Sequence, residues 1–159
     1  MSNLHRLAAQ AVRQALDSGR TVATAESLTA GMVSAVLADT PGASGMLQGG
    51  VVAYQNSVKE AVLQVPTDLL ARAGSVDPDV ARAMAAGART VLGADVGLST
   101  TGVAGPEAHD GKPVGRVYIG IATAAGTAGF EYSFTGNRPY IRAAACAAAL
   151  ERLLEALAG

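Results

Sequence analysis

The chain has 159 residues, half of them hydrophobic but only 4% aromatic, and its 12 basic and 13 acidic side chains leave a net charge of −1. That length suits one domain over residues 1–159, able to bury roughly two-thirds of the surface its unfolded form exposes, in a core of Ala, Val, Leu and Ile. The charge balance advertises neither a nucleic-acid partner nor a membrane surface, and the one cysteine, Cys146, cannot form an internal disulfide, which suits a reducing, cytoplasmic compartment.

At the start, Leu4, Leu7, Ala8, Ala11, Val12, Ala15 and Leu16 recur at helical spacing and Gly19 ends the run. Charged residues interrupt this stretch, so it lacks the apolar centre of a signal peptide. Nowhere does an unbroken apolar run approach the about 20 residues of a membrane span. Val22 to Ala25 reads as a short buried strand, and Thr29 to Leu37 as a helix with Val33, Val36 and Leu37 on one face. Met46 to Gln55 follows as a strand in which Gly49 and Gly50 predict a bulge or a close backbone approach.

"NSVKEAVLQV" predicts a helix capped by Asn56 or Ser57, with Glu60 near the capping-box position. Pro66 and Gly74 bracket a short helical turn. Asp77 as cap and Pro78 in the first turn open a helix with Val80, Met84, Ala88 and Val91 as its buried stripe, closed by Gly93. A strand over Val96 to Thr100 leads into a loop carrying Gly102, Gly105, Gly111 and Gly115. "RVYIGIATA" and "GFEYSF" then form a hairpin turning at Ala125–Gly126, and a last helix spans about Pro139 to Leu157, with Cys146 a small core residue on its apolar face. Helix–strand alternation followed by a hairpin and a closing helix implies a mixed sheet covered on both faces.

Ser27 stands at the first strand-to-helix junction. There it would serve as helix N-cap, as a nucleophile with backbone N–H groups and the positive helix end aimed at an oxyanion, or as both. A nucleophilic serine needs a base. The two histidines are poorly placed, His5 on the N-terminal helix and His109 in the glycine-rich loop, each without a sequence partner. Lys59, one of only two lysines beside Lys112, lies one helical turn after a strand that Tyr54 ends. A lysine replaces histidine in Ser–Lys variants of the triad once burial or nearby positive charge lowers its pKa. Tyr54 would relay or orient a proton. The alternative for the pair is a solvated lysine and an edge-strand tyrosine. The loop "TTGVAGPEAHDGKPVG" matches neither dinucleotide nor Walker patterns but sits where open α/β sheets bind ligands. Arg138, after the cap residue Asn137, would hold a phosphate at a helix start. No spacing of Cys, His, Asp or Glu suggests a metal.

In order, "AESLTAG", "GGVVAYQNSVK", "STTGVAGP", "KPVGRVYI" and "FTGNRPYIR" resemble the CinA C-terminal-domain family, whose enzymes are nicotinamide-nucleotide amidases of the PncC type. The resemblance extends from Val22 to Leu157. It implies a three-layer α/β/α sandwich with a mixed, mostly parallel sheet of about five strands. It also implies hydrolysis of the carboxamide of nicotinamide mononucleotide to nicotinate mononucleotide and ammonia, with no cofactor. The pyrophosphatase-like domain that some members carry has no counterpart here, which leaves the amidase activity as the expected one. Carried over residue by residue, the resemblance makes Ser27 the nucleophile, Lys59 its base and Tyr54 their neighbour. Glu26, Thr29, Ala30, Gly31, Asn56, Thr101, Gly102, Ala104, Gly105 and Arg138 are then expected around the substrate, a small nucleotide. Against the family's AESCTGG the chain has Leu28 and Ala30; "EAHDG" follows AGP, and Asn137 replaces the Asp of GDR. These departures keep two alternatives open: a nucleotide-sensing module without turnover, and an amidase for another carboxamide. The alanine-rich "AAACAAAL" of the last helix suits close packing against a second copy, so a homodimer is expected.

Overall fold

The computed structural model describes residues 2–159. Apolar side chains every third or fourth position make α1 (Asn3–Ser18) a helix, ended by Gly19 in the left-handed conformation. The five buried residues of β1 (Val22–Glu26) run through the molecule's centre, and a tight turn carries the chain into α2 (Met32–Ala38). β2 (Leu47–Val52) alternates half-buried and exposed residues as an edge strand, and α3 (Asn56–Ala61) and α4 (Thr67–Ala73) follow. In α5 (Pro78–Val91) Asp77 caps the N–H groups of Asp79 and Val80. β3 (Val96–Gly102), the hairpin of β4 (Arg116–Thr123) and β5 (Gly126–Ser133), and α6 (Arg138–Ala158), capped by Asn137, complete the chain.

The sheet order is β2-β1-β3-β4-β5. β1 is parallel to β2 and β3, whereas β4 is antiparallel to β3 and β5, so β4 alone runs against the rest. Helices α1, α2 and α6 share a core with one face of the sheet, including Val22, Leu98 and Ile119, and α4 and α5 cover Ala23 and Ala25 on the other. The architecture is a three-layer α/β/α sandwich. From β1 the chain crosses to β2 by way of α2, and returns to β3 by way of α3, α4 and α5 on the opposite face. That reversal opens a crevice at the carboxyl ends of β1 and β3, the usual binding place in open α/β sheets. α5 rests directly on β3 and β4 because Gly97 and Gly120 lack side chains: a Cβ there would lie 2.0 Å from Ala85 O and 2.2 Å from Ala81 O.

Several local expectations change. The helix after β1 starts at Met32 rather than Thr29, because residues 28–31 form a separate turn with Ala30 and Gly31 at positive φ. Neither Asn56 nor Ser57 caps α3 and no capping box forms with Glu60; both lie inside the helix, whose cap position Gln55 makes no side-chain bond. Val91 and Leu16, placed on buried stripes by spacing, are 43% and 44% exposed at the ends of those stripes. Thr123 pairs with Gly126, so Ala124 and Ala125 are the turn residues of the hairpin. Gly49 and Gly50 behave as expected: the β1–β2 register shifts beside Gly49, and a Cβ on Gly50 would lie 2.4 Å from the hydroxyls of Ser34 and Thr24.

Candidate active site

The parallel register aligns Glu26 with Val52 on one side and Thr100 on the other. The residues that follow, Ser27, Ala53–Tyr54 and Thr101–Gly105, therefore emerge together at one edge of the sheet. Because β5 runs the same way as β3, the start of α6 arrives at this edge too. These segments border a cleft of about 500 Å³.

On the floor of the cleft, the Lys59 ammonium nitrogen donates to Ser27 Oγ at 3.1 Å, across 32 positions of chain. Its two other bonds go to the backbone oxygens of Ala53 (2.8 Å) and Tyr54 (3.2 Å). Lys59 is 1% exposed. Burial, with no carboxylate to offset it, lowers its pKa to about 8. Half-buried Ser27 thus stands between an amine of lowered pKa and the open cleft. Lys59 is the buried residue of α3, and its amine supplies the donor for the carbonyls of Ala53 and Tyr54.

Ser27 does not cap α2; Glu26 does. Its buried carboxylate accepts from the N–H groups of Val33 (2.8 Å) and Ser34 (3.0 Å), from Ser34 Oγ (2.9 Å) and from Thr29 Oγ1 (2.6 Å). A carboxylate there uses the positive end of the helix, so that end is not free for an oxyanion at Ser27. Glu26 and Thr29, expected around the substrate, are 1% and 0% exposed and brace the turn from below instead. Thr29 also meets Thr100 Oγ1 at 2.8 Å, and the Ser27 N–H donates to Thr100 O at 3.0 Å. Ala30 is exposed and Gly31 half-buried, and neither borders the cleft. The turn's fourth residue bends outward, which is why these neighbours in sequence part company in space. The N–H groups of Leu28 and Thr29 have no acceptor among the described residues.

Tyr54 approaches Lys59 through its carbonyl, not its phenol. The phenol oxygen accepts from Arg138 at 2.9 Å, and Arg138 also donates to Gly105 O at 2.5 Å. Tyr54 is therefore tied to Arg138 at the rim, and its phenol makes no bond to Lys59 or Ser27. Asn56, Thr101, Gly102, Ala104, Gly105 and Arg138 all border the cleft.

Residues that sequence reasoning passed over complete the walls. Ser75, from the α4–α5 connection, lies among them, and so do Gln55 and Val103. Glu107, Ala108 and His109, from the "EAHDG" stretch that the sequence had already singled out, form one side. That side is tied down by Asp110, whose carboxylate accepts from Ser75 N (3.1 Å) and Oγ (3.3 Å) and faces His109 Nε2 at 3.2 Å. His109 has no bond to Ser27, so its place is on the wall. Arg142, the last residue of "FTGNRPYIR" and given no role there, donates to Leu28 O (2.8 Å) and Thr29 O (3.1 Å). The motif that contains it was its one sequence signal. Cys146 lies in the core, where burial and then the charge of Glu26 push its thiol up to about 12.

Among known proteins, the CinA C-terminal domain family matches residues 4–157. A Desulforamulus reducens relative bearing the name competence-damage inducible protein is 50% identical over 144 residues, covering 91% of this chain and 35% of the relative. A CinA-like protein of Frankia casuarinae is 47% identical over 139 residues, 87% of this chain and 32% of its own length. The chain thus spans about a third of the length of the curated relatives it matches. Among solved structures, a competence-damaged protein (CinA) superfamily protein of Klebsiella pneumoniae superposes with a TM-score of 0.95 at 32% identity, over 99% of both chains.

Proposed function

Because the chain belongs to the CinA C-terminal domain family, we propose that it hydrolyses the carboxamide of nicotinamide mononucleotide to nicotinate mononucleotide and ammonia. The observation that carries this reading is the buried Lys59 amine 3.1 Å from Ser27 Oγ, with a pKa lowered to about 8. At neutral pH roughly one Lys59 in ten is uncharged, a useful fraction for a general base. Neutral Lys59 takes the Ser27 proton while Oγ attacks the carboxamide carbon. Unengaged N–H groups after Ser27 stabilise the oxyanion. Lys59 then returns the proton to the leaving nitrogen, which departs as ammonia. Water next attacks the acyl carbon, giving its proton to Lys59, and collapse restores Ser27 and the acid product. Arg138, exposed at the rim between Tyr54 and Gly105, is suited to the nucleotide phosphate.

Ammonia release from nicotinamide mononucleotide tests the reading. Ser27→Ala and Lys59→Ala should each lower the rate by about 10²–10⁴-fold. The parent's kcat/KM should rise as pH climbs through about 8, because the working base is the deprotonated amine. Variants as fast as the parent, or a rate falling over that pH range, would overturn it. A second reading, an amidase for another carboxamide, draws on Glu107, Ala108 and His109 along the cleft. A carboxamide panel in which nicotinamide mononucleotide survives while another member is consumed would select it.

A further inference from the structure

We propose that Arg142 is a positioning residue: it holds the Ser27–Gly31 turn in the form that aims Ser27 Oγ at Lys59 and keeps the neighbouring N–H groups free for the oxyanion. This rests on the amidase reading of Ser27. The turn is not helical and has little of its own to keep its shape, with one internal bond, Ala30 N–H to Ser27 O at 3.1 Å, and Ala30 and Gly31 at φ of +50° and +98°. Glu26 and Thr100 brace it from the sheet side. From α6 the half-buried Arg142 takes the carbonyls of Leu28 at 2.8 Å and Thr29 at 3.1 Å.

In a trans peptide the C=O and N–H point in opposite directions. Drawing Leu28 O toward α6 therefore turns the Thr29 N–H away from it. Thr29 is fully buried, and its N–H has no acceptor among the described residues. Buried backbone donors are rarely left without a partner. Two unengaged donors adjoining a serine that touches a desolvated amine mark a place kept for a developing negative charge. A planar guanidinium reaches two successive carbonyls at once, which a single ammonium does not do as well. Arg138 lies four residues earlier on α6 and reaches the cleft rim. One helix start thus serves both the rim and the nucleophile turn.

The test compares Arg142→Ala, Arg142→Lys, Ser27→Ala and a control on the same helix, Arg152→Ala, which loses bonds to Tyr132 and Glu155 far from the cleft. Arg142→Ala should lower kcat on nicotinamide mononucleotide by about 10²-fold with KM within about threefold. It should weaken inhibition by pyridine-3-boronic acid, whose serine adduct places an oxygen in the oxyanion position, while binding of nicotinate mononucleotide is unchanged. Guanidinium at sub-denaturing concentration should restore part of the rate, Arg142→Lys should lie between parent and Ala, and Arg152→Ala should keep the parental kcat. Should Arg142→Ala fail to fold by circular dichroism, Arg142→Lys carries the test. Parental kcat in the Arg142 variants with an inactive Ser27→Ala would overturn the inference alone. So would an Arg142 loss matched by Arg152→Ala. Parental activity in Ser27→Ala would overturn the amidase reading and this inference together.

Discussion

Two segments border the same cleft and are held in opposite ways. The turn at Ser27 is pinned by buried polar groups: Glu26 and Thr29 are at most 1% exposed, and every oxygen of Glu26 is bonded. The loop from Pro106 to Gly111 is exposed throughout, and its side-chain tether is Asp110 on Ser75. Buried hydrogen bonds fix geometry because breaking one leaves a desolvated group unpaired, whereas an exposed group turns to water. On the proposed amidase reading, the turn places the reacting atoms and the loop shapes what enters beside them.

The largest expected effect that separates the two is Glu26→Ala. It strips the cap from α2 and leaves the N–H groups of Val33 and Ser34 without their acceptor, for a loss of about 3 kcal/mol. Urea unfolding measures that loss, and kcat should drop alongside it because the turn shifts. A midpoint near the parent's together with parental kcat would mean the turn is held by something other than its buried floor.

Next in size is Asp110→Ala, which releases the exposed wall from Ser75. KM for nicotinamide mononucleotide should rise by about 3–10-fold with kcat little changed, the pattern of lost uniform binding. Stability should change by about 1 kcal/mol or less, given how open the site is to solvent. A large fall in kcat at constant KM would move this loop into the reacting machinery and erase the distinction.

What the sequence made legible follows the range of each interaction. Local spacing and turn residues gave the order of elements, since helix faces, caps such as Asp77 and Asn137, and glycine stops act within a few residues. Ser27 and Lys59 stood out by residue type and through the family motifs. Glu26 was legible as a motif residue but not as the cap of a helix starting six positions later, because the extra turn that lets it reach back has no periodicity. Tyr54 meets Lys59 through a backbone carbonyl, a contact any residue supplies, so residue type carried no signal for it. The bonds from Asp110 to Ser75 and from Arg142 to Leu28 cross 35 and 114 positions, and only folding brings them together.

The smallest expected effect probes the pinned turn at its one loose point. Ala30 holds φ +50° with its side chain in solvent, a conformation that costs an L-residue roughly 1–2 kcal/mol. Glycine removes that cost but adds about 0.5–1 kcal/mol of chain entropy lost on folding. Ala30→Gly should therefore gain on the order of 0.5 kcal/mol by urea unfolding, within the span those two figures allow. Its kcat should stay parental, because the methyl lies outside the cleft and the donors beside Ser27 are set by Leu28, Thr29 and Arg142. A tenfold rise in kcat with glycine would instead mean that the methyl crowds the oxyanion, and that the rigid side of the cleft extends one residue further than its buried bonds imply.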